Sequence, residues 1–492
     1  MLDEPLMRAA ASSPDALALA DETRSWTFAQ LGARTDALAR GIAGVSEPGD
    51  RIAVLAQNRG EYVECYYGIP RAGRVLVPLH PRLHEQEWRS ILLRSGAAAI
   101  VGEHALLERL GDTGLPVFDL DGEAGAPYES LITDQGETGP PLGRNDENVA
   151  FLIGTSGTTG APKLAMLTHS SFAAAVDATL AARPVADDDV LLTPFPLCHV
   201  AGYNVFVYHV RARPIVLMRQ FDPLGLVQLV VRYGVTALSL APTMIAMLLD
   251  ADVDHDALAR IRSIGYGASP IPATVLRSGV ARWACDFSQG YGMTELSGNA
   301  VFLGPDEHRA AAAGDERLLR AAGYPAHGVE LRIAEDDGEV LVRAPQVMAG
   351  YWDEPQASGA TLHEGWLHTG DVGKLDDDGL LTLIDRTKDV IVTGGENVAS
   401  REVEDVLHEH EAVRDVAVVG VPDGTWGERV TAVVVPWPGK HVTADDLVEL
   451  ARSQLAGFKA PREVVFVDEL PRNATGKVLK QALRERLAHR EP

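Results

Sequence analysis

Short apolar runs rich in branched residues, each ending in turn formers, recur along the chain: RIAVLAQN at 51–58, TALSLAP at 236–242 and DVAVVGVPD at 415–423. Runs of this length without alternation read as strands buried on both faces. Between them, helical periodicity occupies 28–43, 223–233 and 444–456, the last opened by Thr443 as an N-cap with Asp446 three residues on. Strand and helix in alternation predict an α/β protein with largely parallel sheets. After the Gly/Asp-rich KLDDDG at 374–379 the texture changes: a helix at 401–410, strands at 415–421 and 430–436 and the helix at 444–456 suffice for a small separate α+β domain. The boundary is expected in DRTKD, 385–389, a short charged connector without the Gly/Ser richness of a floppy linker. That gives a large N-terminal domain over 1–385 and a small mobile domain over 386–492.

The chain has 492 residues, more than one ordinary core accommodates. A formal charge of −25 argues against a sequence-independent grip on nucleic acid or anionic lipid, because both need a basic face. Any anionic ligand is therefore bound locally. The start MLDEPLMRAA lacks the basic head and apolar core of a secretory signal, and no apolar run reaches the ~18–20 residues of a membrane span, so a cytoplasmic protein is expected. Cys65, Cys198 and Cys285 are odd in number and far apart, which gives neither a disulfide framework nor zinc-ligand spacing, and no structural metal is expected.

The chemistry begins at GTSGTTGAPK, 154–163, expected to be closed by Thr168 and His169. Glycines let backbone N–H groups approach an anion, hydroxyls add rotatable donors and Lys163 brings a compact positive charge, a composition suited to a triphosphate. It is not the common P-loop, whose lysine follows Gly and precedes Ser or Thr, since Lys163 lies between Pro162 and Leu164.

Six further segments accompany it: PFPLCHVAG (194–202), YGAS (266–269), QGYGMTE (289–295), LHTGD (367–371), DRTKDVIVTGGEN (385–397) and PRNATGK (471–477). In order and spacing the set resembles the adenylate-forming superfamily of acyl-CoA synthetases, aryl-CoA ligases, carrier-protein-loading adenylation domains and luciferases, over essentially the whole chain. The resemblance implies a large domain of α/β subdomains with a small mobile C-terminal domain. It also implies a reaction in which a carboxylate attacks the α-phosphorus of ATP, pyrophosphate leaves, and a thiol then displaces AMP from the acyl adenylate. Such chemistry depends on positioning and on cations aimed at developing charge.

Residue by residue, the resemblance implies that Thr155, Ser156, Gly157, Thr158, Thr159, Gly160 and Lys163 hold the β- and γ-phosphates. Gly267, Ala268 and Ser269, with Gln289, Gly290, Tyr291, Gly292 and Met293, line the nucleotide, Thr294 bonds the α-phosphate and Glu295 carries Mg²⁺. Asp371 takes the ribose, Arg386 contacts the same ribose or a phosphate, and Lys477 reaches between the substrate carboxylate and the α-phosphate, a bridge that suits a point charge on a flexible stem. Lys388 matches the hinge position, and Gly394, Gly395 and Glu396 face the pantetheine thiol of CoA, the glycines leaving room for a thin thread. His199, Tyr203, Asn204, Tyr208, Gly267 and Gly292 border the acyl group, His199 next to its carboxylate and the thiol tunnel. The catalytic set is thus Lys477, Thr294, Glu295, His199 and Lys163, with ATP, Mg²⁺ and CoA as reactants or cofactor, and a monomer or homodimer as the working unit.

Some positions depart from the family pattern. Gly154 stands where an aromatic residue is usual, Leu164 where Gly is usual after the loop lysine, and Val398-Ala399-Ser400 where Tyr-Pro commonly follows GGEN. These departures leave the phosphate ligands in place but leave the exact loop conformation and the thiol-side surface open, because φ > 0 is not freely available to Leu, and CoA is less secure than ATP. In 202–217 a helical reading puts Asn204, Tyr208 and Arg211 on one face and Tyr203, Phe206, Val207 and Val210 on another. Two readings stay open: the polar face lines the acyl pocket, or it is the wet side of an amphipathic helix. The acceptor is open as well, between CoA, a carrier protein's phosphopantetheine, and an amine receiving an activated oxyanion such as nitrite. A nucleotide-binding regulator with a dead site is the non-enzymatic alternative.

Overall fold

The computed structural model describes residues 1–123, 125–132, 148–155, 163–267, 269, 271–473 and 476–488. Contacts divide the chain into two compact units, Met1–Glu330 with Arg343–Leu367, and Leu331–Val342 with His368–Pro492.

In the first unit, among the described residues, one sheet runs Ala126–Pro127, Val117–Asp119, Ala97–Gly102, Arg51–Leu55, Val75–Leu79, Val149–Gly154, Leu164–Thr168. All its pairs are parallel except the last. A second sheet has a parallel run through Asp286–Met293, Ser263–Gly267, Ala237–Leu240, Leu191–Thr193, Ile215–Leu217 and Leu17–Ala20. The runs at 51–58 and 236–242 are the buried strands Arg51–Leu55 and Ala237–Leu240. The helix expected at 28–43 is Phe28–Val45, opened by a capping box in which Thr27 and Gln30 bond reciprocally, and that at 223–233 is Pro223–Tyr233 with Asp222 as N-cap. Aromatic rings tie the unit's core together: Phe151 meets Tyr66 edge to face at 5.1 Å and Phe172 at 4.9 Å, while Phe206 stacks with Tyr66 at 5.8 Å.

In the second unit, the strands Ile391–Thr393, Glu396–Val398, Gly427–Pro436, Val413–Asp423 and Glu463–Phe466 form a mixed sheet covered on both faces. Its long strand explains the unbroken apolar run: Val416 and Val418 pack with Val403, Leu407 and Leu447, whereas the alternate Ala417, Val419 and Val421 pack with Leu483 and Leu487. The helices are Ser400–His408 and Ala444–Gln454 on the first face and Lys480–Ala488 on the second. Thr443 and Asp446 form the expected capping box.

Candidate active site

The loop at 154–163 and Glu295. Ser156, Gly157, Thr158, Thr159 and Gly160 lie outside the described residues, as does Ala268. The loop's two ends are defined: Gly154 and Leu164 pair as antiparallel strand residues, and Thr155 N–H donates to the Lys163 carbonyl at 2.8 Å. Leu164 is therefore an extended, buried strand residue, a position that needs no positive φ. Thr168 and His169 do not close the loop. Thr168 caps the helix His169–Ala182, in a box with Ser171.

Lys163 sits over the ring of Tyr351, its Nζ 4.9 Å from the centroid, and the Tyr351 hydroxyl donates to Glu295 Oε1 at 2.8 Å. Burial, and then the Glu295 carboxylate, push the Tyr351 hydroxyl above its ordinary pKa, so it remains a donor. Tyr351 was invisible to motif reading. It arrives because the segment around it pairs with Leu164–Thr168, through Met166 N to Gly350 O at 2.8 Å and Trp352 N to Leu164 O at 2.8 Å. The bond from Tyr351 engages one carboxylate oxygen of Glu295, and the lone pairs of a carboxylate exceed what one donor uses, so this all-oxygen donor fits Mg²⁺.

Glycines at the strand ends. Gly267 ends Ser263–Gly267 and pairs in register with Gly290 of Asp286–Met293, which also carries Gln289, Tyr291, Gly292 and Met293. A Cβ at Gly267 would lie 2.6 Å from Gly290 O, and one at Gly292 2.0 Å from Gly298 O, so close backbone packing alone demands these glycines. Thr294 and Glu295 follow in the 3₁₀ turn Thr294–Leu296, and Ser269 is exposed just beyond its strand. Gln289 spends its amide on Ala321 O at 3.3 Å.

The His199 segment. Asn58, buried, pins the stretch before His199: its Nδ2 donates to Phe195 O at 2.8 Å and Met218 O at 3.0 Å, and its Oδ1 accepts from Leu197 N at 2.8 Å. Tyr66 also donates to Leu197 O. Asn58→Ala removes all three bonds, and with unmade buried bonds costing about 1–3 kcal/mol each after partial relaxation, a loss of about 2–4 kcal/mol is expected. A lowered apparent melting temperature checks it. His199 is hemmed in by protein, and desolvation, then Arg82, pulls its pKa down to about 4, so at neutral pH it is an uncharged imidazole.

The helix after it, Asn204–Val210, corrects the wet-face reading. Asn204 is 5% and Tyr208 3% exposed; of the three polar residues Arg211, past the helix end, alone faces solvent, beside the exposed Val210. Tyr203 is committed to Thr179 Oγ1 at 2.9 Å and Asn299 Nδ2 at 3.2 Å. Asn204 Nδ2 donates to Ala201 O at 2.8 Å, while its Oδ1 is buried with no partner among the described residues.

The second unit's cluster. Asp371, buried, holds Arg386 in an ion pair of 2.8 Å. Lys477 comes to the same place: although its side chain keeps solvent access, surrounding atoms and the cations Arg386 and Lys388 pull its pKa down to about 8, with Asp371 acting the other way. Asp385 accepts from Ser400 N and, at 2.7 Å, from Ser400 Oγ, and Arg484 holds Asp389 at 3.0 Å and the Lys388 carbonyl at 3.2 Å. The segment 385–389 is thus latched to the helices Ser400–His408 and Lys480–Ala488. Gly394 and Gly395 have φ of 61° and 82° and turn the hairpin between Ile391–Thr393 and Glu396–Val398. Their first cause is this turn, which needs positive φ at both positions. Ala399 is the N-cap residue of Ser400–His408.

The chain belongs to the AMP-binding enzyme family, which it matches over residues 6–352, with the AMP-binding enzyme C-terminal domain matching 402–477. It is an AMP-forming acid–thiol ligase, using ATP, Mg²⁺ and CoA. Feruloyl-CoA synthase of Amycolatopsis sp is 35% identical to it over 500 residues, covering 98% of each chain. A fatty acid–[acyl-carrier-protein] ligase, ScoC of Streptomyces coeruleorubidus, is 35% identical over 493 residues, covering 96% of this chain and 94% of that one. Among solved structures, o-succinylbenzoate CoA synthetase (MenE) from Bacillus subtilis, in complex with its acyl-adenylate intermediate, superposes with a TM-score of 0.87 at 30% identity, covering 98% of this chain and 97% of that one. No helix among the described residues is long and apolar enough to cross a membrane.

Proposed function

We propose that the protein activates an aromatic or other hydrophobic carboxylic acid as its acyl adenylate and passes the acyl group to CoA in the cytoplasm. The observation that carries this reading is the chain Lys163–Tyr351–Glu295, which fixes the triphosphate cation and the metal carboxylate through one side chain. Lys163 and Thr155, with the rest of the loop, hold the β- and γ-phosphates. Thr294 donates to the α-phosphate, and Glu295 holds Mg²⁺, which supplies positive charge to the phosphate oxygens. Asp371 accepts from the ribose hydroxyls, with Arg386 alongside. Lys477 pairs with the acid's carboxylate as it attacks the α-phosphorus; the bond from that phosphorus to the bridging oxygen breaks and pyrophosphate leaves with its electrons. In the second step the CoA sulfur attacks the acyl carbon, the bond to AMP breaks, and the thiol proton goes to solvent.

His199 borders the acyl carboxylate, with Gly267, Gly292, Tyr203, Asn204 and Tyr208 completing the pocket. Since His199 is neutral, it orients by hydrogen bonding and shape rather than by charge. The pivot for the second step is Lys388 within 385–389, where the 386–492 domain turns to present Gly394, Gly395 and Glu396 to the thiol. The latch of Asp385 and Arg484 then moves with that domain. ScoC favours a second acceptor, a carrier protein's phosphopantetheine. Pyrophosphate release over aryl, arylpropenoic and fatty acids, each with CoA, with a carrier protein and with neither, tests substrate and acceptor together; an acyl-carrier product without an acyl-CoA product would replace CoA in this account.

Lys477 acts as a cation, and with its pKa depressed to about 8 the active form is held at lower pH and lost as pH rises through that value. The pH profile of kcat/KM for ATP should therefore fall above about pH 8, whereas acyl adenylate plus CoA, which needs no such ammonium, should show no matching fall. Parallel profiles for the two half-reactions would contradict the assignment.

A further inference from the structure

His80, which no part of the ligase chemistry uses, follows the strand Val75–Leu79 and lies beside His199, the two rings 4.9 Å apart between centroids. Cys198 joins them: one ring nitrogen of each imidazole and the Cys198 Sγ all lie within 4.8 Å of one another. His80 is 7% exposed and Cys198 5%. The Arg82 backbone N–H donates to His80 Nδ1 at 3.0 Å, while His80 Nε2 is fully buried with no partner among the described residues. A buried polar atom without a partner calls for one, and an ion set among the three donors would supply it.

We propose that His80, Cys198 and His199 form an exchangeable zinc site that silences the enzyme when filled. Two neutral imidazoles and a thiol are the donors of a borderline-soft ion and are wrong for Mg²⁺ or Ca²⁺, which take oxygen. Zinc bonds of about 2.0–2.3 Å put tetrahedral donors roughly 3.3–3.8 Å apart, so small side-chain rotations close the present spacing, and three protein ligands leave the fourth position for water. Binding converts the Cys198 thiol to thiolate and releases its proton to solvent. It also moves the His80 proton from Nε2 to Nδ1, giving up the bond from Arg82 N–H, and the Arg82 guanidinium near the cluster opposes the cation. These two costs make the ion exchangeable. Silencing, unlike binding, rests on the reading that His199 borders the acyl carboxylate.

Cobalt(II) is the probe, titrated into the full-length, tag-free, reduced protein. One equivalent should produce a near-ultraviolet thiolate-to-cobalt band with the visible bands of a tetrahedral ion, displaced by one equivalent of Zn²⁺. Cys198→Ser and His80→Ala should lose the band, whereas Cys65→Ser and Cys285→Ser keep it, with thermal unfolding checking that each variant folds. No band in the wild-type protein, or a band unchanged in Cys198→Ser and His80→Ala, overturns the site; the wild-type titration decides even if a variant does not fold. In the second arm, Zn²⁺ at the concentration that fills the band should cut pyrophosphate release by tenfold or more in the presence of excess Mg²⁺, and Cys198→Ser should resist. A zinc-displaceable band without inhibition overturns silencing and, separately, removes His199 from the acyl carboxylate.

Discussion

Lys477→Ala should lower pyrophosphate release from acid plus ATP by roughly 10²–10³-fold, the usual cost of removing one group that stabilises developing charge. A carboxylate and a triphosphate approaching each other repel, and Lys477, held near Asp371 and Arg386, is the flexible cation suited to stand between them. The same variant should turn a synthetic acyl adenylate and CoA into thioester at close to the wild-type rate, because the α-phosphorus has already been attacked. The fold should be unaffected: Lys477 keeps solvent access, and its hydrogen bonds with Asn473 run through its backbone N–H and carbonyl, which alanine retains. Single-turnover assays of the two half-reactions check this, and equal losses in both would remove the division of labour.

Glu295→Gln should reduce pyrophosphate release by roughly 10²-fold, because the amide keeps the shape but loses the anionic oxygen that Mg²⁺ prefers. Glutamine can still accept from the Tyr351 hydroxyl, so the contact at 2.8 Å survives and unfolding should be little changed. Raising Mg²⁺ should recover part of the rate. A variant with wild-type rates at ordinary Mg²⁺ would show that the carboxylate carries no metal.

Elements whose cause is local were legible in the sequence. The capping box at Thr443 and Asp446 follows from two residues three apart, and the run at 415–421 follows from valines that must be covered on both sides. What the sequence did not disclose comes from distant pairing. Tyr351 joins Lys163 to Glu295 only because Leu164–Thr168 takes the segment around it as a partner, and Asn58 holds the His199 stretch from the other side of the first unit's chain. Neither leaves a periodic signature. At Leu164 the comparison with a glycine left the loop conformation open, and its pairing with Gly154 makes it an ordinary strand residue. The polarity of 202–217 did not say which way the helix faced, because burial of Asn204 and Tyr208 depends on the layers packed around it.

Attack of the substrate carboxylate on the α-phosphorus is the central claim, and oxygen transfer tests it most directly. An accepted acid labelled with ¹⁸O in both carboxylate oxygens is turned over with ATP, Mg²⁺ and CoA, and the products are weighed by mass spectrometry. One ¹⁸O atom should appear in AMP for each thioester formed, and none in pyrophosphate. Label in pyrophosphate or inorganic phosphate, or unlabelled AMP alongside labelled thioester, would contradict the account.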